Sequence, residues 1–240
     1  MRIAVLSDIH GNLPALEAVL DALAPYDAVW QLGDIVGYGP QPDEVVARLA
    51  RENAIGVRGN HDSAAIGVLG TDAFNDDARV AVEWTAERIE PATRQWLAAL
   101  PVRSISEPYT LVHGSPRDPT WEYVYTSAIA RANLAAFDTR HCLVGHTHVP
   151  LVFRQRDGRV EGVQIRAEAS YELGAERLIV NPGSVGQPRD GDRRASAMIL
   201  DTETRSLEWR RVDYPIDQVQ KLMAQAALPA RLISRLQFGL

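Results

Sequence analysis

The sequence predicts an α/β protein, in which helices cover a largely parallel sheet in the first half and a second set of strands follows. Three observations carry this expectation. From Arg2 to Asn60 short apolar runs alternate with segments of helical period, in the order β-α-β-α-β. After Pro150 strand-like runs separated by tight turns replace the helices. The 240 residues are 46% hydrophobic and 23% charged, as in an ordinary globular protein, and a chain this long buries a core without disulfides. With no internal repeat, low-complexity tract or linker-like stretch, one α/β domain over residues 1–240, built on two packed sheets, is the simplest organisation.

Each element has a local reason. RIAVLSD is a short apolar strand. Asn12 and Pro14 then signal a helix start, and Leu13, Leu16, Leu20 and Leu23 recur at helical spacing. AVWQLGD is a second strand, PDEVVARLARE a helix with acids in its first turn, and AIGVRGN a third strand. From Asn75 to Leu100 the chain reads helical, capped by Asn75 and closed by Pro101. YTLVHG is a strand, Thr126 to Phe137 a helix, and CLVGH another strand. The runs LVFRQ, RVEGVQIRAE, ERLIVNPGS, RASAMILD and RSLEWRRV read as strands, with Arg156-Asp157-Gly158 as one of the turns between them. A last helical segment runs from Ile216 to Leu236 and breaks near Pro229.

The net charge is −6 and the basic residues form no block, so no track for nucleic acid is visible. An acidic chain that handles an anionic substrate needs a local positive centre, which metal ions can provide. The single cysteine, Cys142, lies in an apolar run and reads as a small buried residue; with no disulfide possible within the chain, a reducing compartment suits it. The N-terminal apolar stretch, Ile3 to Leu6, is too short for a secretory signal, and no run approaches the length of a membrane span. The expected location is the cytoplasm, with no membrane partner.

The unusual polar residues fall at the ends of the strands. The first ends in Ser7-Asp8-Ile9-His10, the second in Gly33-Asp34, and the third in Gly59-Asn60-His61-Asp62. YTLVHG ends in His113-Gly114, and CLVGH in His146-Thr147-His148. In open α/β sheets the carboxyl ends of the strands are where ligands bind. Taken singly, each motif could be a turn or a satisfied core histidine; five at one sheet edge point to a site. Carboxylate and imidazole together suit Mn, Fe, Ni or Zn, whereas Ca and Mg prefer oxygen alone. A thiolate zinc site is excluded. Alternation along an extended chain would turn His146 and His148 to one side.

This ordered set resembles the motifs of the calcineurin-like metallophosphoesterases. The spacing fits, with 26 residues from Asp8 to Asp34 and 26 from Asp34 to Asn60. GDIVGYGPQPDEV and NPGSVGQPRDGD are similar to elements of the bacterial and archaeal phosphodiesterase branch, so the likeness covers about 200 of the 240 residues. It implies a four-layer α/β/β/α sandwich, two mixed sheets with helices outside. It also implies two divalent transition metal ions, manganese among the candidates. Asp8, His10, Asp34 and His148 would hold one ion; Asp34, Asn60, His113 and His146 would hold the other, with Asp34 bridging. His61 would face the substrate as a proton donor to the leaving oxygen or as a stabiliser of developing charge. The implied reaction is phosphodiester hydrolysis by in-line attack of a hydroxide bridging the metals. Two divalent ions with two carboxylates leave a residual charge of about +2, which attracts a phosphate ester to an acidic chain.

Other residues are more open. Arg58 could reach phosphate or pair with an acid on a sheet face. Asn181-Pro182-Gly183-Ser184 suits a tight turn whose backbone N–H groups could touch substrate, and Arg189 and Asp190 follow it. Tyr38 is a candidate for the cleft wall. Asp62 could orient His61 or cap the next segment. Trp121, Tyr123 and Tyr125 could stack a nucleobase or, more simply, pack in a core or a dimer interface. The expected partner is a small phosphoester, with nucleotide-derived compounds among the candidates, and the Ala- and Trp-containing helices offer a surface for a homo-oligomer. Alternatives are a phosphomonoesterase or a dinucleoside polyphosphate hydrolase with the same centre, a non-catalytic interaction scaffold on the same fold, and a non-haem iron protein. The intact motifs speak against the scaffold, and Asn60 beside His61 suits phosphate chemistry better than redox iron.

Overall fold

A computed structural model describes residues 1–166 and 168–240. In chain order, β1 (Arg2–Leu6), α1 (Leu13–Leu23), β2 (Ala28–Gln31), α2 (Pro42–Arg51) and β3 (Ile55–Gly56) form the opening alternation. Three helices follow, α3 (Asn60–Ala65), α4 (Asp76–Arg88) and α5 (Pro91–Ala99). Next come β4 (Arg103–Ser106), β5 (Tyr109–Val112), α6 (Ser127–Asn133) and β6 (His141–Leu143). The strand-rich part contains β7 (Leu151–Arg156), β8 (Arg159–Gln164), β9 (Ala169–Glu172), β10 (Arg177–Asn181), β11 (Ala195–Asp201) and β12 (Ser206–Val212). Two helices close the chain, α7 (Ile216–Gln225) and α8 (Ala230–Arg235).

The strands form two six-stranded mixed sheets, ordered β3-β2-β1-β11-β12-β9 and β4-β5-β6-β10-β7-β8. The opening β1-β2-β3 run is parallel as expected, but β11 pairs antiparallel with β1 and extends that sheet with β12 and β9. Side-chain alternation produces the layers. Ile3 and Val5 face inward and pack with Trp30, Leu111, Val180 and Trp209 between the sheets. Ala4 and Leu6 face outward onto Leu16, Leu20 and Leu49 of α1 and α2. On the far side Cys142 and Ile179 meet Ala130, Leu134 and Phe137. The result is the α/β/β/α sandwich. Burial raises the Cys142 thiol above its ordinary range, so this residue is packing. Among the described residues, no helix is long and apolar enough to cross a membrane.

Local signals explain the elements and the departures from expectation. Asn12 caps α1 by accepting from the Ala15 N–H at 3.2 Å. The helical stretch 75–100 is two helices, because Pro91 starts a new one at its first position and holds Glu90 extended, with ψ 154°. β3 is only two residues long. The chain leaves the sheet at Val57, and Gly59 caps the unforeseen α3, where the Asp62 carboxylate accepts from the Gly59 N–H. β4 and β9 were also unforeseen: both are short edge strands, where burial imposes little pattern. Asp157 and Gly158, both at positive φ, form the hairpin turn between β7 and β8.

Candidate metal centre

The carboxyl ends of β1 and β2 in one sheet and of β5 and β6 in the other meet at one edge of the sandwich. The loops after them, with the start of α3 after β3, bring Asp8, His10, Asp34, Asn60, His113, His146 and His148 together, all buried. Two groups of donor atoms result, each within 4.8 Å: Asp8, His10, Asp34 and His148, and Asp34, His113 and His146. Asp34 belongs to both. Its Oδ2 lies 3.8 Å from His10 Nε2 and 3.2 Å from His113 Nε2. Asn60 joins the second group, its Oδ1 3.1 Å from His113 Nε2.

These side chains are aimed by unusual backbone. Asp8, His10, Asp34, His146 and His148 all have φ between +51° and +66°. For a non-glycine residue the left-handed conformation costs about 1–2 kcal/mol, so the surroundings must impose it. Asp8 N–H donates to Gly33 O at 3.1 Å and His10 N–H to Asp34 O at 3.0 Å, which locks the two loops together. His146 and His148 do face one cleft, but strand alternation is not the reason: β6 ends at Leu143, and each histidine sits on its own left-handed turn. Close loop crossings need glycine at two points. A Cβ on Gly59 would lie 2.1 Å from Asp34 Oδ1, and one on Gly145 would lie 2.0 Å from Ser7 Oγ.

The donor set fits divalent metal. The Nδ1 atoms of His10, His113 and His148 donate to the carbonyls of Val36, Leu32 and Gln187 at 3.2, 2.8 and 2.6 Å. That fixes Nε2 of each ring as the inward atom. His10 Nε2 and His148 Nε2 then face one another at 3.2 Å, and His113 Nε2 faces His146 Nδ1 at 3.1 Å. Burial keeps His10, His146 and His148 neutral by lowering each well below the ordinary imidazole value. The facing lone pairs of neutral His10 and His148 call for a cation between them. Backbone N–H of His146 reaches both Asp8 carboxylate oxygens at 3.2 and 3.1 Å and orients that ligand.

Without metal, protons stand in. Burial would lower His113, but Asp34 outweighs it and raises the imidazole to about 9. Burial also works against ionisation of Asp34, yet His113 and its neighbours hold this carboxyl well below the ordinary range. Burial pushes Asp8 up to about 7. A ligating imidazole must be neutral, so metal uptake at pH 7.5 expels the His113 proton and part of one from Asp8. Affinity at the His113 position should therefore rise about tenfold per pH unit up to pH 9 and level off above it. Calorimetric titration in two buffers of different ionisation enthalpy measures the released protons; fewer than half a proton per protein at pH 7.5 would contradict this.

The cleft beside the donors is lined by Tyr38, His61, Phe74, Trp121, Tyr123 and Arg189. His61 packs between Tyr38, with ring centroids 4.3 Å apart, and Phe74, at 4.9 Å. Its Nδ1 is buried without a partner, and burial lowers its imidazole to about 4. Asp62 does not orient it. That carboxylate accepts instead from the N–H groups of Ile35, Val36 and Gly59 and fixes the Asp34 loop against α3. Arg58 lies outside the cleft, its guanidinium bound to Ser63 Oγ at 3.0 Å and Ala98 O at 3.3 Å. The Asn181–Ser184 turn is a buttress. Asn181 Nδ2 donates to Gly145 O and Thr147 Oγ1, and Ser184 Oγ donates to Asp8 O. Trp121 and Tyr123 belong to the cleft wall, where Tyr123 stacks on His146 at 3.8 Å, and neither is buried in a core. Phe74 and Gln187 were missed by motif reading: one lies in a loop without pattern, the other acts through its backbone carbonyl.

Residues 1–205 match the calcineurin-like phosphoesterase superfamily domain. An uncharacterized protein of Methanocaldococcus jannaschii is 35% identical, over 99% of this chain and 98% of its own. The phosphodiesterase YfcE of Escherichia coli is 29% identical, over 86% of this chain and 91% of its own. The crystal structure of a metallophosphoesterase from Sphaerobacter thermophilus superposes with a TM-score of 0.92 at 46% identity, covering 100% of this chain and 99% of that one.

Proposed function

The chain belongs to the calcineurin-like phosphoesterase superfamily and is a hydrolase of phosphoester bonds, and from that premise we propose that it cleaves a phosphodiester at a centre of two divalent metal ions. The observation that carries this is Asp34, a single carboxylate shared by two converging sets of carboxylate and imidazole donors. Asp8, His10, Asp34 and His148 would hold one ion, and Asp34, Asn60, His113 and His146 would hold the other. Oxygen and imidazole donors suit Mn, Fe, Ni or Zn, manganese included. When bound, the ions supply an activated nucleophile and the positive charge that clamps a phosphate.

The chain's own groups do the rest. His61 is neutral across the physiological range, because burial depresses it. It therefore acts as an N–H hydrogen-bond donor to the charge developing on the leaving oxygen. Arg189, on the cleft wall, adds a positive charge that attracts an anionic substrate. Tyr38 and Phe74 hold the His61 ring and exclude water behind it. Trp121 and Tyr123 offer a flat apolar wall for the ester group. The lone, buried cysteine is consistent with a cytoplasmic setting.

The name of the Escherichia coli relative favours a diester over a monoester. Side-by-side assay of bis(4-nitrophenyl) phosphate, 4-nitrophenyl phosphate and a diadenosine polyphosphate with metal-loaded protein tests this. The diester is expected to show the highest kcat/KM; faster cleavage of either other substrate would assign the alternative activity.

A further inference from the structure

Beside the metal donors, Tyr38 carries two guanidiniums on its ring. Arg189 Cζ lies 5.6 Å and Arg235 Cζ 4.8 Å from the ring centroid. The same ring lies 4.6 Å from His10 and 4.3 Å from His61, so both cations sit one ring away from the reacting centre. Both also donate to one acceptor, Gln187 Oε1, Arg189 at 2.9 Å and Arg235 by a shorter bond. Gln187 in turn holds His148 through its backbone carbonyl at 2.6 Å. The pair is thus tied to the metal-bearing loop.

Two like charges sharing one neutral acceptor are poorly compensated. The Nε atoms of Arg189 and Arg235 are both buried without partners. Neither forms an ion pair among the described residues, whereas Arg194 pairs with Asp192, and Arg211 with Asp190. Burial, then the neighbouring Arg189, lowers Arg235 to about 10, which still leaves it charged at neutral pH. Bringing two such cations together costs free energy that an anion would recover. Arg235 comes from α8, beyond the 1–205 span that matches the family, and Leu232 and Leu236 anchor that helix in the core.

We propose that Arg189 and Arg235 form a second anion subsite, so that the substrate is a phosphoester bearing an additional phosphate group beside the one that is cleaved. This rests on the phosphoesterase reading and narrows its substrate class. One phosphate lies at the metal donors, and the second accepts charge-assisted hydrogen bonds from the two guanidiniums. Sugar or nucleoside phosphates with two phosphate groups fit this description; a simple single-anion diester uses only half of the site.

Equilibrium binding of AMP and ADP to metal-loaded protein, with metal content checked before and after, tests the subsite without reference to turnover. ADP is expected to bind about tenfold or more tightly than AMP to the wild type, the increment of a charge-assisted pair. Arg235→Gln should reduce that advantage to about threefold or less, and Arg235→Lys should restore part of it, since charge without the planar fork is retained. A role confined to packing on Tyr38 would weaken both ligands alike and leave the ratio unmoved. Equal affinities in the wild type, or an unchanged ratio in Arg235→Gln of wild-type melting temperature, would overturn the subsite. Failure to hydrolyse the diester, the monoester and the diadenosine polyphosphate alike would instead count against the phosphoesterase reading, so the two failures are separable.

Discussion

Asp34→Asn should empty both metal positions together and lower turnover by about 10³-fold or more, the rate equivalent of several kcal/mol of lost charge stabilisation. Asp34 is the only residue in both donor groups, and its Oδ2 approaches ligands on either side. Asn has nearly the same shape, and its remaining carbonyl oxygen can still accept from the His61 N–H, as Asp34 Oδ1 does at 2.9 Å. The fold should therefore survive while the bridging charge is lost. Metal analysis and a thermal melt on the same sample separate the two effects. Loss of one metal alone, or retention of both with full activity, would show that Asp34 does not bridge. By contrast, His148→Ala and His146→Ala each remove a ligand from only one group.

His61→Ala should behave in the opposite way, keeping both metals while turnover falls about 10²-fold, the usual cost of removing one donor to developing charge. The ring contacts Tyr38 and Phe74 and belongs to neither donor group, whereas its backbone N–H, which orients Asp34, survives the substitution. Because the imidazole is neutral, its contribution should not titrate near pH 6.5: the ratio of wild-type to variant kcat should stay flat from pH 6 to 8. A ratio that grows as pH falls through that window would identify the imidazolium as a proton donor. Loss of both metals would make His61 part of the donor framework.

The site was more legible in the sequence than the architecture around it. Strand-end Asp, Asn and His residues stand out because buried strands are otherwise apolar, and their chemistry needs particular donor atoms. The four layers were implied by the family resemblance rather than by any local pattern; in the structure, alternation in runs such as Ile3 to Leu6 turns each neighbour to a different core. What was hidden depended on distant partners. The antiparallel entry of β11 beside β1 is a long-range pairing that no local period encodes. The left-handed turns at His146 and His148 are imposed by tertiary contacts, so a strand model reached the right cleft by the wrong geometry. Arg58 has the composition of a phosphate contact, but the chain turns at Gly59 and sends it towards Ser63 and Ala98. Arg235 lies in no motif, and only the packing of α8 brings it to Tyr38.

Metal titration into chelator-stripped wild-type protein, followed by hydrolysis of bis(4-nitrophenyl) phosphate, tests metal-dependent phosphoester hydrolysis most directly. The stripped protein should be inert, and activity should rise to a plateau at two equivalents of Mn, Fe, Ni or Zn per chain. Full activity in the stripped protein, or none with any of these metals, would contradict it.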